Sequence, residues 1–318
     1  MTLALSTRLG QAPAQPSTTF FRSPRVAVGS FRCPVDHPNF RHEGEMGGFE
    51  MVFPRSAVWI RRPDCRSFVA DANLVTLYNR GQVYERAPIA SSGDNCDWYS
   101  LDEALAREIV AERDREAADS PTPLRFPFAA GSPELYLRQR RLFERLRRGA
   151  RPTASGPGEL DALAVEEEVG QLFAAVVARS YAGRRSENAP PARPEPEAVR
   201  RARELLAARF REALNLSELA RECGLSSFRL AHLFRRETGS SLHAWRVRLR
   251  LQAALDELSD SPRPDLTELA LDLGFSSHSH FSASFRRCFG VTPSAMRARR
   301  ATTFEASKFA IARRTAHG

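Results

Sequence analysis

The chain has 318 residues, of which 42% are hydrophobic and 27% charged, and its formal net charge is +9 at neutral pH. This length exceeds one typical domain and is sufficient for two buried cores. No apolar run approaches the roughly 18 residues that a membrane span needs, and the first residues lack the pattern of a signal peptide. We therefore expect a two-domain cytoplasmic protein with no membrane partner.

The five cysteines are few and odd in number, which predicts free thiols in a reducing compartment. With His37 and His42, the side chains of Cys33, Cys65 and Cys96 offer ligands for a soft metal, but no Cys-x-x-Cys pair or carboxylate–histidine set completes a site. We expect no metal and no other cofactor, and assign these three cysteines no role. A thiol signal at Cys33 or Cys96 would need a neighbour that lowers its pKa.

The segment 20–100 has the pattern of short strands separated by turns. The clearest strands are at 51–53, 57–60, 67–69, 74–78 and 82–84. Small antiparallel strands at this density predict a compact β-barrel or jelly roll. The aromatic residues of this segment either line an apolar effector pocket or form an ordinary core; they are Trp59, Tyr78, Tyr84, Trp98 and Tyr99.

Two helices are predicted after the strands, at about 134–148 and 159–182, with a helix-breaking segment at 152–158 between them. The second carries an apolar stripe at helical spacing, which includes Leu163, Val169 and Phe173. Such a stripe either packs on its own domain or forms a dimer interface, and packing is the expectation. The proline-rich segment 183–196 predicts a stiff, exposed linker.

The region after this linker contains one pattern twice. Leu216-Ser217-Glu218-Leu219-Ala220 leads to Gly224, and fifty residues later Leu266-Thr267-Glu268-Leu269-Ala270 leads to Gly274. A serine pair follows each glycine, and the offset changes from 50 to 51 after these pairs. The second copy therefore carries one extra residue at the start of its second helix. Two copies of a helix–turn–helix pattern favour binding to double-stranded DNA.

The residues of each copy have a physical role in this pattern. Gly224 and Gly274 suit a positive φ at the end of the first helix, and Ala220 and Ala270 leave room for a crossing helix. The serine pairs offer an N-cap hydroxyl to the second helix. Its buried side is predicted to contain Leu230, Leu233 and Phe234 in copy one, and Phe281 and Phe285 in copy two.

The second copy, GFSSHSHFSASFRRCFGVTPS at 274–294, resembles the signature of the AraC/XylS family of bacterial transcription regulators. The resemblance covers about 197–300 and implies seven helices in two subdomains, joined by a long helix at about 243–257. More loosely, the stretch from Phe53-Pro54-Arg55 to Gly93-Asp94 resembles the cupin-like N-terminal domain of such regulators. The expected fold class is α+β multidomain, with a cupin-like small β-barrel followed by helices and an all-α double helix-turn-helix domain. The expected segments are a flexible N-terminus at 1–18, a sensing or dimerisation domain at 19–182, the linker at 183–196, the DNA-binding domain at 197–300 and a basic tail at 301–318.

The charge is distributed unevenly along the chain. Residues 1–196 contain 26 arginines and 25 acidic residues, whereas 197–300 contain 18 arginines and 12 acidic residues. Basic charge concentrated in one domain is typical of phosphate binding. A solvated basic surface in an arginine-rich chain is the alternative.

The outward faces of the two second helices supply the candidate DNA contacts. The resemblance implies base contacts from Phe228, Ala231, His232, His278, Ser279, Ser282 and Ala283. Arg229 is added to these candidates because it lies on the same outward face. We assign phosphate contacts to Arg235, Arg236, Arg286 and Arg287, with intrahelical or interdomain ion pairs as the alternative for each. His278 and His280 point in different directions on a helix and cannot share a metal; His280 is expected to take part in helix packing.

The sequence thus predicts a non-enzymatic AraC-type regulator, with DNA and an unidentified small-molecule effector as partners and a homodimer as its assembly. A contact with RNA polymerase is left open. Two alternatives remain: a regulator without a ligand, and an enzyme or cysteine-based sensor or repair domain fused to the DNA-binding module. The strands at 51–84 contain no histidine, which counts against a metal-dependent cupin enzyme.

Overall fold

The computed structural model describes residues 16–41, 44–150, 160–182, 195–260 and 264–298. The chain before residue 16, His42, the helix-breaking segment, nearly all of the expected linker and the basic tail lie outside the described residues. Residues 16–182 form a sheet region with accompanying helices, and residues 195–298 form a helical region. The α+β architecture with a helical C-terminal part is therefore confirmed.

The sheet region contains two antiparallel sheets. Its strands are β1 Ser17–Arg22, β2 Val26–Cys33, β3 Gly44–Glu45, β4 Phe49–Pro54, β5 Val58–Arg62, β6 Cys65–Ala70, β7 Leu74–Tyr78, β8 Val83–Pro88, β9 Asp94–Leu101 and β10 Phe128–Ala130. One sheet has the order β1-β2-β9-β4-β7-β10 and the other the order β3-β8-β5-β6. All five predicted strands are present. The pairing of the described strands gives two separate sheets instead of the closed barrel that we expected, because no strand at the edge of one sheet pairs with the other.

The side chains of β4 alternate between the two faces of the larger sheet, and each face borders a different part of the interior. Phe49, Met51 and Phe53 are buried in the main core, whereas Glu50 and Val52 line a cavity between the two sheets. The predicted aromatic pocket is therefore only partly correct. Tyr78, Tyr84 and Trp98 line this cavity, but Tyr99 belongs to the opposite face, where its hydroxyl donates to the Gln139 carbonyl. Trp59 instead donates its indole N–H to Glu204 at 3.3 Å.

Four helices complete the sheet region: α1 Glu103–Ala111, α2 Arg115–Asp119, α3 Pro133–Gly149 and α4 Ala162–Tyr181. The predictions for α3 and α4 are confirmed. The stripe of α4 packs within its own region, with Val169 and Phe173 fully buried. Leu163 is the exception and is 74% exposed, because it shares a helix face with Glu167, four residues on, which is also exposed.

The helical region contains α5 Glu197–Arg209, α6 Leu216–Glu222, α7 Ser227–Thr238, α8 Leu242–Asp260, α9 Leu266–Asp272 and α10 His278–Phe289, followed by a helical turn at 293–298. This arrangement has the seven helical segments that the resemblance implies, with α8 as the long connecting helix. Within the described ranges, no helix is long and apolar enough to cross a membrane.

The two regions meet along α8, where polar contacts accompany the apolar core. Trp245 donates its indole N–H to the buried Asp71 carboxylate at 3.3 Å, and Gln252 donates to the Ala72 carbonyl at 2.6 Å. Arg248 donates to the Asn73 side-chain oxygen at 2.9 Å. All three partners lie in the turn between β6 and β7, so this turn fixes α8 against the sheet region.

Candidate nucleic-acid interface

Each copy of the repeated pattern folds as two helices around a glycine turn. Gly224 and Gly274 have φ of 68° and 79°, in the left-handed region that glycine adopts without a steric penalty. The next amide N–H donates back to a carbonyl of the first helix in both copies: Leu225 to Ala220 and Phe275 to Ala270, both at 2.9 Å. At Gly274 a Cβ would also lie 2.3 Å from the Arg211 carbonyl oxygen. Glycine is therefore required there by backbone conformation and by space.

The serine pairs cap the second helices, but with different members. The Ser226 hydroxyl accepts a hydrogen bond from the Arg229 amide at 3.3 Å, whereas in the second copy the Ser277 hydroxyl accepts one from the His280 amide at 3.1 Å. The extra residue of the second copy therefore lies in the turn before the helix and not inside it. The two second helices are in register at an offset of 51.

Small and apolar side chains hold each helix pair together. Ala220 and Ala270 are buried, as are Leu230 and Phe234 in α7 and Phe281 and Phe285 in α10. One detail of the prediction was wrong, because Leu233 is only partly buried. Leu216, an apolar residue of the repeated pattern, is 43% exposed. Leu216 is the first residue of α6, so it lies beyond the crossing point that buries Leu219.

The side of α7 and α10 opposite the core faces solvent. The exposed candidates for base contacts are Phe228, Arg229, His232, His278, Ser279 and Ala283, while Ala231 and Ser282 are partly buried. Phe228 is 83% exposed, which is unusual for a phenylalanine. Its ring lies nearly parallel to that of His232, with centroids 6.3 Å apart, so the two side chains form one exposed surface. Neither helix has an acidic residue in its first turn, so no carboxylate opposes an approaching phosphate backbone at these N-termini.

His280 is a candidate that the sequence reasoning missed. At an offset of 51 it occupies the position of Arg229, and it is exposed instead of being buried in the helix packing. Its ring lies edge-on to Phe275 with centroids 5.6 Å apart, and its Nδ1 is 3.2 Å from the Ser276 hydroxyl. The offset between the two copies changes from 50 to 51 in the sequence, and the alignment of His280 with Arg229 at the new offset could have identified it.

The four arginines assigned to phosphate are all exposed, but they differ in their partners. Arg236 donates to the Glu237 carboxylate through both Nε and Nη2, at 2.9 and 2.6 Å. Within the described part of the chain, Arg235, Arg286 and Arg287 have no ion pair with a carboxylate. Only Arg236 therefore has the intrahelical ion pair that we had considered as the alternative.

Arg250 of α8 connects the segment between α5 and α6, which leads into the first helix pair, to the turn of the second pair. No local sequence pattern indicates this role. Its Nε donates to the Phe210 carbonyl at 2.6 Å and its Nη2 to the Glu212 carbonyl at 2.9 Å. Its Nη1 donates to the carbonyl of Gly274, in the turn of the second copy. Burial lowers the pKa of Arg250 to about 10. The residue thus ties the end of α5 to the second glycine turn, which fixes the relative position of the two pairs.

The cysteines and histidines do not assemble into a second kind of site. In the ranges that the structure describes, no three His, Cys, Asp or Glu side chains form a group able to hold a metal ion. Burial raises the pKa of Cys33, Cys65 and Cys96. Because the thiolate is the reactive form, these environments count against a cysteine-based sensor or alkyl acceptor.

Comparison with known proteins agrees with the geometry. A family model described as a helix-turn-helix domain matches residues 219–299. The regulatory protein SoxS of Escherichia coli is 38% identical over 88 residues, which cover 28% of this chain and 81% of SoxS. The chain thus belongs to the AraC/XylS family of transcription regulators.

Two further similarities each cover about a third of the chain or less. The arabinose operon regulatory protein of Salmonella typhimurium is 36% identical over 84 residues, 26% of this chain and 30% of that protein. The match therefore spans under a third of that relative's length. The solved structure of a probable AraC family transcriptional regulator from Rhodopseudomonas palustris is 35% identical, covers 33% of this chain and 98% of that one, and has a TM-score of 0.32.

Proposed function

We propose that this chain is a sequence-specific DNA-binding transcription regulator that responds to a small-molecule effector through its sheet region. The observation that carries the proposal is the pair of exposed faces on α7 and α10. They belong to two copies of one motif, both are rich in polar and basic side chains, and α8 holds the copies in a fixed relation. Membership of the AraC/XylS family supports the same conclusion.

In this proposal α7 and α10 are the recognition helices and enter successive major grooves on one face of the duplex, about 34 Å apart. The base contacts come from the eight residues predicted from the sequence, with His280 added as a ninth. His232 can donate to a guanine edge, and Phe228 can pack on a thymine methyl group. Because Ala231 and Ala283 carry no hydrogen-bonding group, shape and methyl contacts contribute much of the preference.

The phosphate contacts are proposed for Arg235, Arg286 and Arg287, and more weakly for Arg236. Their side chains are exposed, and phosphate contacts position a protein on DNA without selecting its sequence. Arg236 contributes less because Glu237 already neutralises much of its charge.

The sheet region is proposed to be a cupin-like sensing and dimerisation domain within the boundaries 19–182, joined by the linker 183–196 to the DNA-binding domain 197–300. Two sheets that enclose a cavity support this assignment. The active assembly is proposed to be a homodimer in the cytoplasm, where duplex DNA and RNA polymerase are accessible.

The contacts between the regions suggest how an effector would act. Cys96 and Trp98 of β9 line the cavity, whereas Asp97 between them points to the other face and accepts hydrogen bonds from Arg140 at 2.6 Å and Gln139 at 2.8 Å. Arg140 in turn forms an ion pair with Asp256 of α8 at 3.1 Å. A shift of β9 on ligand binding would therefore reach the helix that orients both recognition helices.

The proposal is tested by incubating the purified chain with a pool of random duplexes and sequencing the bound fraction. We expect a recovered motif with two conserved elements separated by roughly one helical turn of DNA. An unenriched pool would contradict the proposal. A Phe228→Ala variant should recover a motif that is changed in only one of the two elements. Leu163→Ala in α4 of the sheet region removes a side chain that is also largely exposed, at 74%, and should leave the motif unchanged.

A further inference from the structure

A cavity lies between the two sheets, lined by residues of both. It has a volume of about 180 Å³. Val52, Tyr78 and Cys96 form a small buried cluster on one side, against which Phe31, Tyr84 and Trp98 pack. A mainly apolar cavity with a few polar groups is the usual form of a small-molecule site.

One carboxyl group in this cavity has no partner. Glu50 of β4 lines the cavity near Tyr84 and Cys96, and among the described residues its carboxyl group has neither a hydrogen bond nor an ion pair. Burial alone raises the pKa of Glu50 to about 7. An enclosed carboxylate without a counter-ion is costly, so a ligand that supplied one would be bound preferentially.

The other charges of the cavity are already matched with each other. Asp94 lies 3.8 Å from Nη1 of Arg86. Arg86 also donates to the Phe40 carbonyl at 2.9 Å and to the Tyr84 hydroxyl at 3.1 Å. The charges of Arg86 and Asp94 therefore offset each other. Among the described residues that line the cavity, the ionised Glu50 is the remaining charge, and it is negative. A cation would balance this charge, whereas an anion would double it.

The aromatic lining and the volume limit the rest of the ligand. The rings of Tyr78 and Tyr84 lie 5.3 Å apart at 52°, and Trp98 adds a further aromatic ring. The Phe31 ring is already in contact with the Arg86 guanidinium, 4.5 Å from its centroid. Aromatic faces attract cations and flat rings. An apolar cavity of about 150 Å³ holds a benzene molecule, so this one holds a single ring with a short substituent.

We propose that this cavity binds a small organic cation, a single flat ring that carries a primary amine or amidinium group, and that Glu50 is its counter-ion. The inference rests on the proposed effector-sensing function and names the chemical class of its ligand. Tyr78 of β7 lies opposite Glu50 in the sheet, Tyr84 of β8 and Asp94 and Cys96 of β9 line the same cavity, and Arg86 of β8 lies beside it as the partner of Asp94. Among these groups only Glu50 is an acid without a partner.

Calorimetric titration of the full chain with benzylamine, benzyl alcohol and benzoate tests the charge requirement at nearly constant ligand size. We expect benzylamine to bind at least about tenfold more tightly than benzyl alcohol, and benzoate not to bind. The affinity for benzylamine should fall as the pH is lowered from about 8 to about 6, because protonation of Glu50 removes the counter-ion. Equal affinity for the amine and the alcohol, preference for benzoate, or no binding of any probe would overturn the proposal.

The Glu50→Gln variant is nearly isosteric and should lose at least about tenfold in affinity for benzylamine while it retains that for benzyl alcohol. Glu45→Gln, an exposed acid on the neighbouring β3, is the matched control and should bind as the unsubstituted chain does. An unchanged affinity of Glu50→Gln for benzylamine would contradict the assignment of the counter-ion.

Retention of duplex DNA by the same preparation separates this inference from the proposed function. A chain that retains selected DNA but binds no amine would contradict the ligand class alone. A chain that binds the amine but retains no DNA would support the cavity assignment and contradict the proposed regulatory function.

Discussion

The hydroxyl group of Tyr136 in α3 donates a 2.8 Å hydrogen bond to the carboxylate of Asp256 in α8. Both residues are buried. The same carboxylate forms ion pairs with Arg55 at 3.2 Å and with Arg140 at 3.1 Å. One acidic group of the helical region thus joins three side chains of the sheet region.

Asp256→Asn should destabilise the chain by about 1.5–3 kcal/mol, because two buried guanidinium groups lose their shared carboxylate. Arg140 keeps Asp97, and Arg55 keeps Asp260, so neither charge is left without a counter-ion. Asparagine retains an oxygen for the Tyr136 hydroxyl, so the loss is mainly one of charge. The measurement is urea unfolding. Glu257→Gln is the control, since Glu257 is half-exposed, 3.8 Å from Arg211, and should cost less than about 1 kcal/mol. Similar losses in both variants would contradict the prediction.

Glu50 should make the stability of the chain depend on pH. Its pKa is about 7 in the folded chain and about 4.3 in the unfolded chain. Between these values the folded state binds more protons, so the stability falls as the pH rises through this range. Without ligand, Glu50→Gln should be more stable than the unsubstituted chain at about pH 8, by on the order of 3 kcal/mol, and equally stable at about pH 4. Urea unfolding at both pH values measures the difference, and a difference that is independent of pH would argue against the assigned environment.

Arg286→Ala and His232→Ala should affect DNA binding in different ways. Loss of a phosphate contact at Arg286 should weaken binding to every duplex and reduce the slope of log K against log salt concentration by about 1. Loss of a base contact at His232 should reduce the preference at one position of the site by roughly 1–3 kcal/mol. Fluorescence anisotropy with matched and single-mismatch duplexes measures both effects. Reversed outcomes would exchange the two assignments.

Arg235→Ala should reduce the salt dependence of DNA binding more than Arg236→Ala does. The two residues are adjacent and both exposed, but Arg236 is paired with Glu237 through two hydrogen bonds. Glu237→Ala as a single substitution, with Arg236 retained, should increase the salt dependence of DNA binding, because it frees Arg236 to contact a phosphate. A larger effect of Arg236→Ala in the unsubstituted chain would show that the ion pair does not persist on DNA.

The local features of the helical region could be predicted from the sequence because they depend on neighbouring residues. Gly224, Gly274 and the serine caps determine turns over a few positions, and the repeat identified them twice. Glu50 is different. Its importance comes from strands β7 to β9, which place aromatic rings and the paired Asp94 in the same cavity. No local sequence pattern indicates that the Glu50 carboxyl group lacks a partner there.

The contacts between the regions could not be predicted for the same reason. Asp71 and Trp245 are separated by 174 positions, and neither has a sequence context that indicates the other. The helices α1 and α2 were also missed, although Asp102 and Asp114 cap them with hydrogen bonds of 2.8 Å. These helices have nine and five residues, so their periodicity is too short to distinguish from a loop. Their N-caps were the available signal.

Hydroxyl-radical footprinting of the full chain on a selected duplex locates the contacts of both recognition helices at once. We expect two protected segments on one face of the DNA, roughly 10 base pairs apart. Phe228→Ala should weaken one of them, and Ser279→Ala the other. A single protected segment, or two on opposite faces of the duplex, would contradict this expectation.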